Sequence, residues 1–202
     1  MRIIDLFSVD LERVGIIGYS SLDKTLREKY KEKTFLNLIP PALIDAANKI
    51  IPENLSQVCN LETSPSKFSF EGQNFDGIIF TEVLEHLFYR DDFIMRNLWK
   101  LLKENGYLFF SIPNVAALGK IVSLLFGRNP YMSKSEQIEG VYGGYGHIRE
   151  YSLSEAMNLC KSVGLKVKRI YGLNDYKSLF DKVARSLPKI YAETIMIVAQ
   201  KL

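Results

Sequence analysis

Residues 74–88 read NFDGIIFTEVLEHLF, and this stretch decides the architecture. Phe75, Asp76, Gly77, Ile78, Ile79 and Phe80 form a short, nearly continuous apolar run, the pattern of a strand covered on both faces in a parallel sheet. The composition of Thr81–Phe88 turns helix-like at once, so the chain is expected to pass from a central strand straight into a helix. Upstream, Val14, Gly15, Ile16 and Ile17 make another buried strand that ends in a turn at Gly18–Ser21. A helix over Leu22–Lys33 follows, then a strand over Thr34–Leu38 stopped by Pro40 and Pro41, a helix over Ala42–Ile50 and a strand within Leu55–Leu61. Downstream, Asp91 and Asp92 open a helix that runs to Leu102, Gly106 turns the chain, and Tyr107–Ile112 forms the fifth strand. An apolar helix over Ala116–Phe126 leads into a Gly- and Tyr-rich stretch at 127–146, long enough to serve as a lid or substrate loop. Ser152 caps a helix that Gly164 stops, then come a strand over Lys166–Tyr171, a helix from Asn174 to about Leu187 and a last strand over Glu193–Gln200. This alternation predicts one α/β domain over residues 1–202, with an open sheet and helices on both faces. The last strand follows a proline-containing turn and is open to antiparallel insertion.

Composition narrows the function classes. The 202 residues carry 26 Lys and Arg against 23 Asp and Glu, a net charge of +3, with 47% hydrophobic residues, which excludes disorder and disulfide scaffolds. Basic and acidic residues alternate at Arg27, Glu28, Lys29, Lys31, Glu32 and Lys33, a solvated helix face rather than a nucleic-acid surface. Cys59 and Cys160 sit in apolar segments without CxxC spacing, and Arg2, Asp5 and Asp10 interrupt any leader-like run, so a cytoplasmic protein is expected. No stretch is long and apolar enough to predict a membrane span.

In an open parallel sheet the ligand belongs at the carboxyl ends of the central strands. Four turns qualify: Gly18–Leu22, Asn37–Pro40, Asn60–Glu62 and Thr81–His86. Here the sequence resembles a known superfamily. NFDGIIFTEVLEHL at 74–87, LLKENGYLFFSIPN at 101–114 and GHIREYSLSEAMNLCKSVGL at 146–165 are together similar to class I S-adenosylmethionine-dependent methyltransferases of the small-molecule and sugar-modifying type. The resemblance runs from about Arg13 to the C-terminus. It implies a Rossmann-like seven-stranded, mostly parallel sheet with an antiparallel last strand, and S-adenosylmethionine as cofactor. It also implies that Gly18, Ser20, Asn37, Asn60, Thr81 and Glu82 face that cofactor. The first loop departs from the pattern. Ile16 stands where an acid belongs, Ser20 and Leu22 replace two glycines, and Asn37 replaces the acid that grips the ribose. Glycine there admits positive φ and close approach, which Ser and Leu resist. Asn in place of a carboxylate gives up about 1–2 kcal/mol at a ribose hydroxyl.

Methyl transfer to a hydroxyl requires alignment and removal of a proton. His147 and His86 are the candidate bases, with Tyr142, Tyr145 and Asn114 lining the acceptor. If Thr81–Phe88 is helical, Glu82, Glu85 and His86 share one face, and with His147 could bind a divalent cation. The reading adopted is no metal: Glu82 favours the positive end of its helix, Glu85 is solvated or paired with Arg90, and His86 packs beside the cleft. Ile121, Val122, Leu124, Leu125 and Phe126 are apolar around the helix, as in a core segment, a homodimer contact or a seat for a greasy acceptor. The expectation is methyl transfer to a small-molecule, glycan or lipid-linked acceptor. The rival is a catalytically inactive methyltransferase-like domain acting as a partner or regulatory subunit. A dinucleotide oxidoreductase is disfavoured because the first turn has no GxGxxG.

Overall fold

The computed structural model describes residues 10–18, 21–70, 72, 74–131, 133, 146–174 and 188–202. Its elements are β1 (Arg13–Ile17), α1 (Ser21–Lys29), β2 (Thr34–Ile39), α2 (Ile44–Ala47), β3 (Ser56–Val58), β4 (Phe75–Thr81), α3 (Asp91–Leu101), β5 (Leu102–Pro113), α4 (Leu118–Leu125), α5 (Leu153–Ser162), β6 (Leu165–Leu173) and β7 (Thr194–Lys201). The strands form one seven-stranded sheet in the order β3-β2-β1-β4-β5-β7-β6. β1 pairs in parallel with β2 and β4, β2 with β3, and β4 with β5, whereas β7 runs antiparallel to both β5 and β6. The expected antiparallel insertion is therefore present, and the strand order reverses at β1 and β4, where a doubly wound sheet opens its crevice.

The apolar runs of the central strands are covered on both faces. On one face Ile78, Phe80, Leu108, Phe110, Ile195 and Ile197 pack against Ile94, Met95 and Leu98 of α3 and Ala156 and Cys160 of α5. On the other, Val14, Ile16, Phe35, Ile79, Phe109, Met196 and Val198 pack with Leu26 of α1. Trp99 packs on the first cluster, Cys59 and Cys160 are buried free thiols, and no helix among the described residues is long and apolar enough to cross a membrane.

Thr81–Phe88 does not form the expected helix. Thr81 remains in β4, paired with Ser111 of β5, and Glu82 turns the chain at φ +54°. A single 3-10 turn, Leu84–His86, follows instead of a helix. The pairing with β5 carries on through Glu82, whose N–H donates to the Ser111 carbonyl at 3.1 Å, so the backbone cannot enter a helix at that point. The helix expected over Leu22–Lys33 ends at Lys29, and that over Ala42–Ile50 is a 3-10 turn, Pro41–Leu43, running into the short α2. β5 begins at Leu102, five residues before the expected start at Tyr107. Within it a bulge opposes Lys103–Gly106 to Asp76. Gly106 is obligatory there, because a Cβ would lie 2.8 Å from the Lys103 carbonyl oxygen and 3.0 Å from that of Phe75. The Ser152 cap is a full capping box: Ser152 Oγ accepts from the Glu155 N–H and Glu155 accepts from the Ser152 N–H. The helix expected from Asn174 lies almost wholly outside the described residues.

Candidate functional site

The carboxyl ends of β1 and β2 form one half of the crevice. Gly18 has φ +81° and nothing within 4 Å of where its Cβ would stand, so the backbone there is open to close approach. Asn37 is fully buried at 0% exposure. Its Nδ2 donates to the Gly18 carbonyl at 3.0 Å and to Asp23 Oδ2 at 3.2 Å. Its Oδ1 accepts from the Arg27 guanidinium at 2.6 Å, and Arg27 also donates to the Phe35 carbonyl at 2.8 Å. Burial lowers the Arg27 pKa, and the charge of Asp23 partly opposes that. Asn60 is exposed, and its Oδ1 closes a turn onto the Glu62 N–H at 3.0 Å. The cavity among Ile17, Pro40, Asn60, Leu61, Val83 and Leu87 holds about 10 Å³, room for a single water.

The carboxyl ends of β4 and β5 form the other half and differ in kind. Glu82, left-handed at the end of β4, accepts a hydrogen bond from Ser111 Oγ at 2.7 Å. Burial pushes its carboxyl up and that hydrogen bond works against the shift. Glu85 follows on the 3-10 turn with 0% exposure, and neither carboxylate oxygen has a hydrogen-bond partner among the described residues. It is neither solvated nor paired with Arg90, whose partner is Asp92 at 2.9 Å. Burial, reinforced by repulsion from Glu82 and Glu150, raises the Glu85 pKa to about 8.

The segment that begins at Gly146 is drawn onto this turn by its backbone. Ile148 N–H donates to the Glu85 carbonyl at 2.7 Å, and Tyr151 forms a bridge with Asn114 just beyond β5. Tyr151 is buried and donates its hydroxyl to Asp91 at 3.0 Å, which locks the segment to the start of α3. His147 is thereby brought beside His86, ring centroids 5.0 Å apart in an edge-to-face arrangement. His147 Nδ1 lies 3.6 Å from Glu150 Oε1, while Glu150 Oε2 pairs with Lys120. Burial pushes the Glu150 carboxyl up, but its hydrogen bonds from His147 and Lys120 outweigh burial and hold it below the usual range.

The structure thus gathers Glu85, His86 and His147; Glu82 is not one of that set, although its charge reaches both Glu85 and His147. Thr81 is the half-buried last residue of β4. Asn114, expected at the acceptor, is fully buried; its Nδ2 donates to the Ile190 and Ala192 carbonyls at 2.7 Å each and its Oδ1 accepts from the Ala116 N–H. It fastens the chain entering β7 to the end of β5. Ser20, Tyr142 and Tyr145 lie outside the described residues. Sequence reasoning missed Glu150, Lys120 and Arg27. His147 and Glu150 stand three apart, but nothing in HIRE marks Glu150 as the buried partner and Arg149 as the exposed one. Arg149 pairs with Asp91 and Glu155 at the surface. α4 is exposed at its end, with Leu125 79% and Phe126 77% accessible, beside a cavity of about 460 Å³ lined by Gly119, Val122, Ser123, Phe126 and Arg128.

A parallel sheet ending in an inverted hairpin, with polar groups beyond the carboxyl ends of its central strands, defines a Rossmann-like fold of the methyltransferase kind. A family model described as a methyltransferase domain matches residues 11–170, and the chain belongs to that family. Among solved structures, it is similar to an S-adenosylmethionine-dependent methyltransferase of Thermotoga maritima, at 15% identity over 98% of this chain and 86% of that one, with a TM-score of 0.62. A methyltransferase of Methanosarcina mazei matches at 15% identity over 100% and 98%, TM-score 0.61. The N-methyltransferase NodS of Bradyrhizobium japonicum, solved with S-adenosylhomocysteine, matches at 13% over 98% and 82%, TM-score 0.54. At these identities the likeness is one of fold. No curated protein matches the sequence.

The family implies S-adenosylmethionine as cofactor, and the residues can be tested against it. Gly18 fits, since its backbone is open. The ribose position does not fit as it stands: Asn37 is fully buried, with its amide engaged by Gly18, Asp23 and Arg27.

Proposed function

We propose that this chain carries out S-adenosylmethionine-dependent methyl transfer to a hydroxyl or amine of a small-molecule, glycan or lipid-linked acceptor, in the cytoplasm. The observation that carries the reading is the cluster at the ends of β4 and β5: a fully buried, unbonded Glu85 carboxyl group with two imidazoles beside it. An acceptor hydroxyl must lose a proton as it attacks, and a positioned base contributes about 10²–10⁴ in rate. His147 is the base in this account, oriented by Glu150 through Nδ1, while Lys120 keeps Glu150 ionised. His86 and Glu85 face the same space and hold the acceptor. The apolar end of α4 and the neighbouring Arg128 support an amphiphilic acceptor with an anionic group. On the donor side, the small cavity must widen and Arg27 must release Asn37.

Turnover is tested by S-adenosylhomocysteine release with a panel of hydroxyl and amine acceptors. His147→Asn is expected to lower kcat at least 100-fold while S-adenosylhomocysteine affinity stays within about threefold. Unchanged kcat would remove His147 from the chemistry.

The second reading is a methyltransferase-like domain that serves as a partner subunit without catalysis. The enclosed Asn37 favours it. Under that reading neither cofactor nor product binds the folded chain.

A further inference from the structure

We infer that Glu85, His86 and His147 form a binding site for a divalent transition-metal ion of the Zn²⁺, Mn²⁺ or Co²⁺ class, with one carboxylate and two imidazoles as ligands. One ligand atom from each residue lies within 4.8 Å of the others. Ligands around an ion with bonds of about 2.0–2.2 Å stand roughly 3–3.5 Å apart, so small side-chain rotations close the set. The helical face expected to carry Glu82 as well does not exist. Glu82 sits at φ +54° and accepts from Ser111, which leaves a set of three.

Two further observations point to an ion rather than a chance cluster. Glu85 is fully buried with neither oxygen hydrogen-bonded among the described residues, so its ionised form is strongly unfavourable unless a cation lies against it. Each imidazole also has its Nδ1 side occupied by an oxygen from outside the cluster. His86 Nδ1 is 3.4 Å from the Gly146 carbonyl and its Nε2 is 3.8 Å from Glu85 Oε1. His147 Nδ1 faces Glu150 at 3.6 Å. Metal-bound histidines characteristically have the other ring nitrogen held by a carbonyl or carboxylate, which fixes tautomer and ring orientation. The 2.7 Å bond from Ile148 N–H to the Glu85 carbonyl ties the two ligand-bearing segments together, so the site is braced by backbone. Two nitrogens and one oxygen suit borderline transition-metal ions better than Mg²⁺, which prefers an all-oxygen shell, and three protein ligands leave a position open.

The test uses the whole chain stripped with chelator and then titrated calorimetrically with Zn²⁺, Mn²⁺ and Co²⁺ alone, without cofactor or acceptor, the Co²⁺ complex being read also by its visible absorption. Its failure therefore leaves the methyl-transfer reading with His147 as base standing; an ion held on His147 Nε2 would take that nitrogen out of proton transfer, so the base role belongs to the ion-free chain and the ligand role to the ion-bound one. One ion per chain is expected. Glu85→Gln and His147→Asn should each weaken binding at least 100-fold, Glu150→Gln by about 10–100-fold through loss of the outer partner, and Glu82→Gln by less than threefold. Should Glu85→Gln not fold, the half-buried His86→Asn and His147→Asn carry the same test. No stoichiometric binding up to about 1 mM of any of the three ions, or wild-type affinity retained in His86→Asn and His147→Asn, would overturn the assignment.

Discussion

The two halves of the crevice handle buried polar groups in opposite ways. At the ends of β1 and β2, the buried Asn37 is bonded to a carbonyl, a carboxylate and a guanidinium, and the hollow beside Ile17, Pro40 and Asn60 holds about 10 Å³. At the ends of β4 and β5, an equally buried Glu85 has neither oxygen hydrogen-bonded among the described residues, and two imidazoles and the carboxylate of Glu150 stand around it. A satisfied buried group contributes to stability, whereas an unsatisfied one costs stability and persists where something else needs it. The contrast favours structural work for Asn37, which the resemblance places at the cofactor, and fits the proposed ligand role of Glu85.

The contrast can be broken most sharply through pH. Glu85 folds with its pKa raised to about 8, so between roughly pH 4.5 and 8 the folded chain keeps a proton that the unfolded chain has released. Stability in chelator should therefore fall as pH rises through that window, by up to about 5 kcal/mol, and this group's contribution should be fully lost above pH 8. Glu85→Gln is expected to flatten that slope in urea unfolding curves taken from pH 5 to pH 8.5; a slope unchanged by the substitution would place its origin elsewhere. Next in size is Asn114→Ala, which strands the Ile190 and Ala192 carbonyls and should cost about 2–3 kcal/mol, a fall of roughly 4–12 °C in Tm, showing a polar group at the acceptor end that serves the fold. Arg27→Met removes charge-assisted bonds to Asn37 and Phe35 and is expected to cost about 1–2 kcal/mol while tightening S-adenosylhomocysteine binding severalfold by calorimetry. If affinity falls instead, Arg27 supports the donor side rather than closing it. The smallest stability effect belongs to Leu125→Asp. At 79% exposure it should move stability by no more than about 0.5 kcal/mol, yet abolish binding of a lipid-linked acceptor in a co-sedimentation assay; unaltered binding would remove α4 from the acceptor site.

Much of this fold is legible in the sequence because its strands are buried on both faces. The runs at Val14–Ile17, Gly77–Phe80 and Leu108–Ile112 have no polar alternation to confuse them, and Ser152 and Glu155 announce α5 by their spacing. TEVLEHLF misleads because its apolar spacing suits a helix, while long-range pairing of Thr81 with Ser111 holds the backbone extended and forces Glu82 left-handed. Local pattern lost to a tertiary contact there. Arg27 misleads similarly: its neighbours Glu28 and Lys29 are exposed, but its own long side chain reaches back to β2. The cluster of Glu85 with both histidines crosses about 60 residues of chain, and the backbone bond from Ile148 to Glu85 that creates it leaves no trace in residue type.

To transfer methyl groups, a methyltransferase-family domain with an enclosed Asn37 must still open to its cofactor. Thermal unfolding of the chain with S-adenosylmethionine and S-adenosylhomocysteine, followed by calorimetric titration, tests it most directly. Ligand at about 100 times its Kd adds roughly 2.7 kcal/mol, and the account predicts a rise of about 5–11 °C in Tm. No shift at millimolar ligand in folded protein would contradict it and leave the non-catalytic domain as the reading that fits.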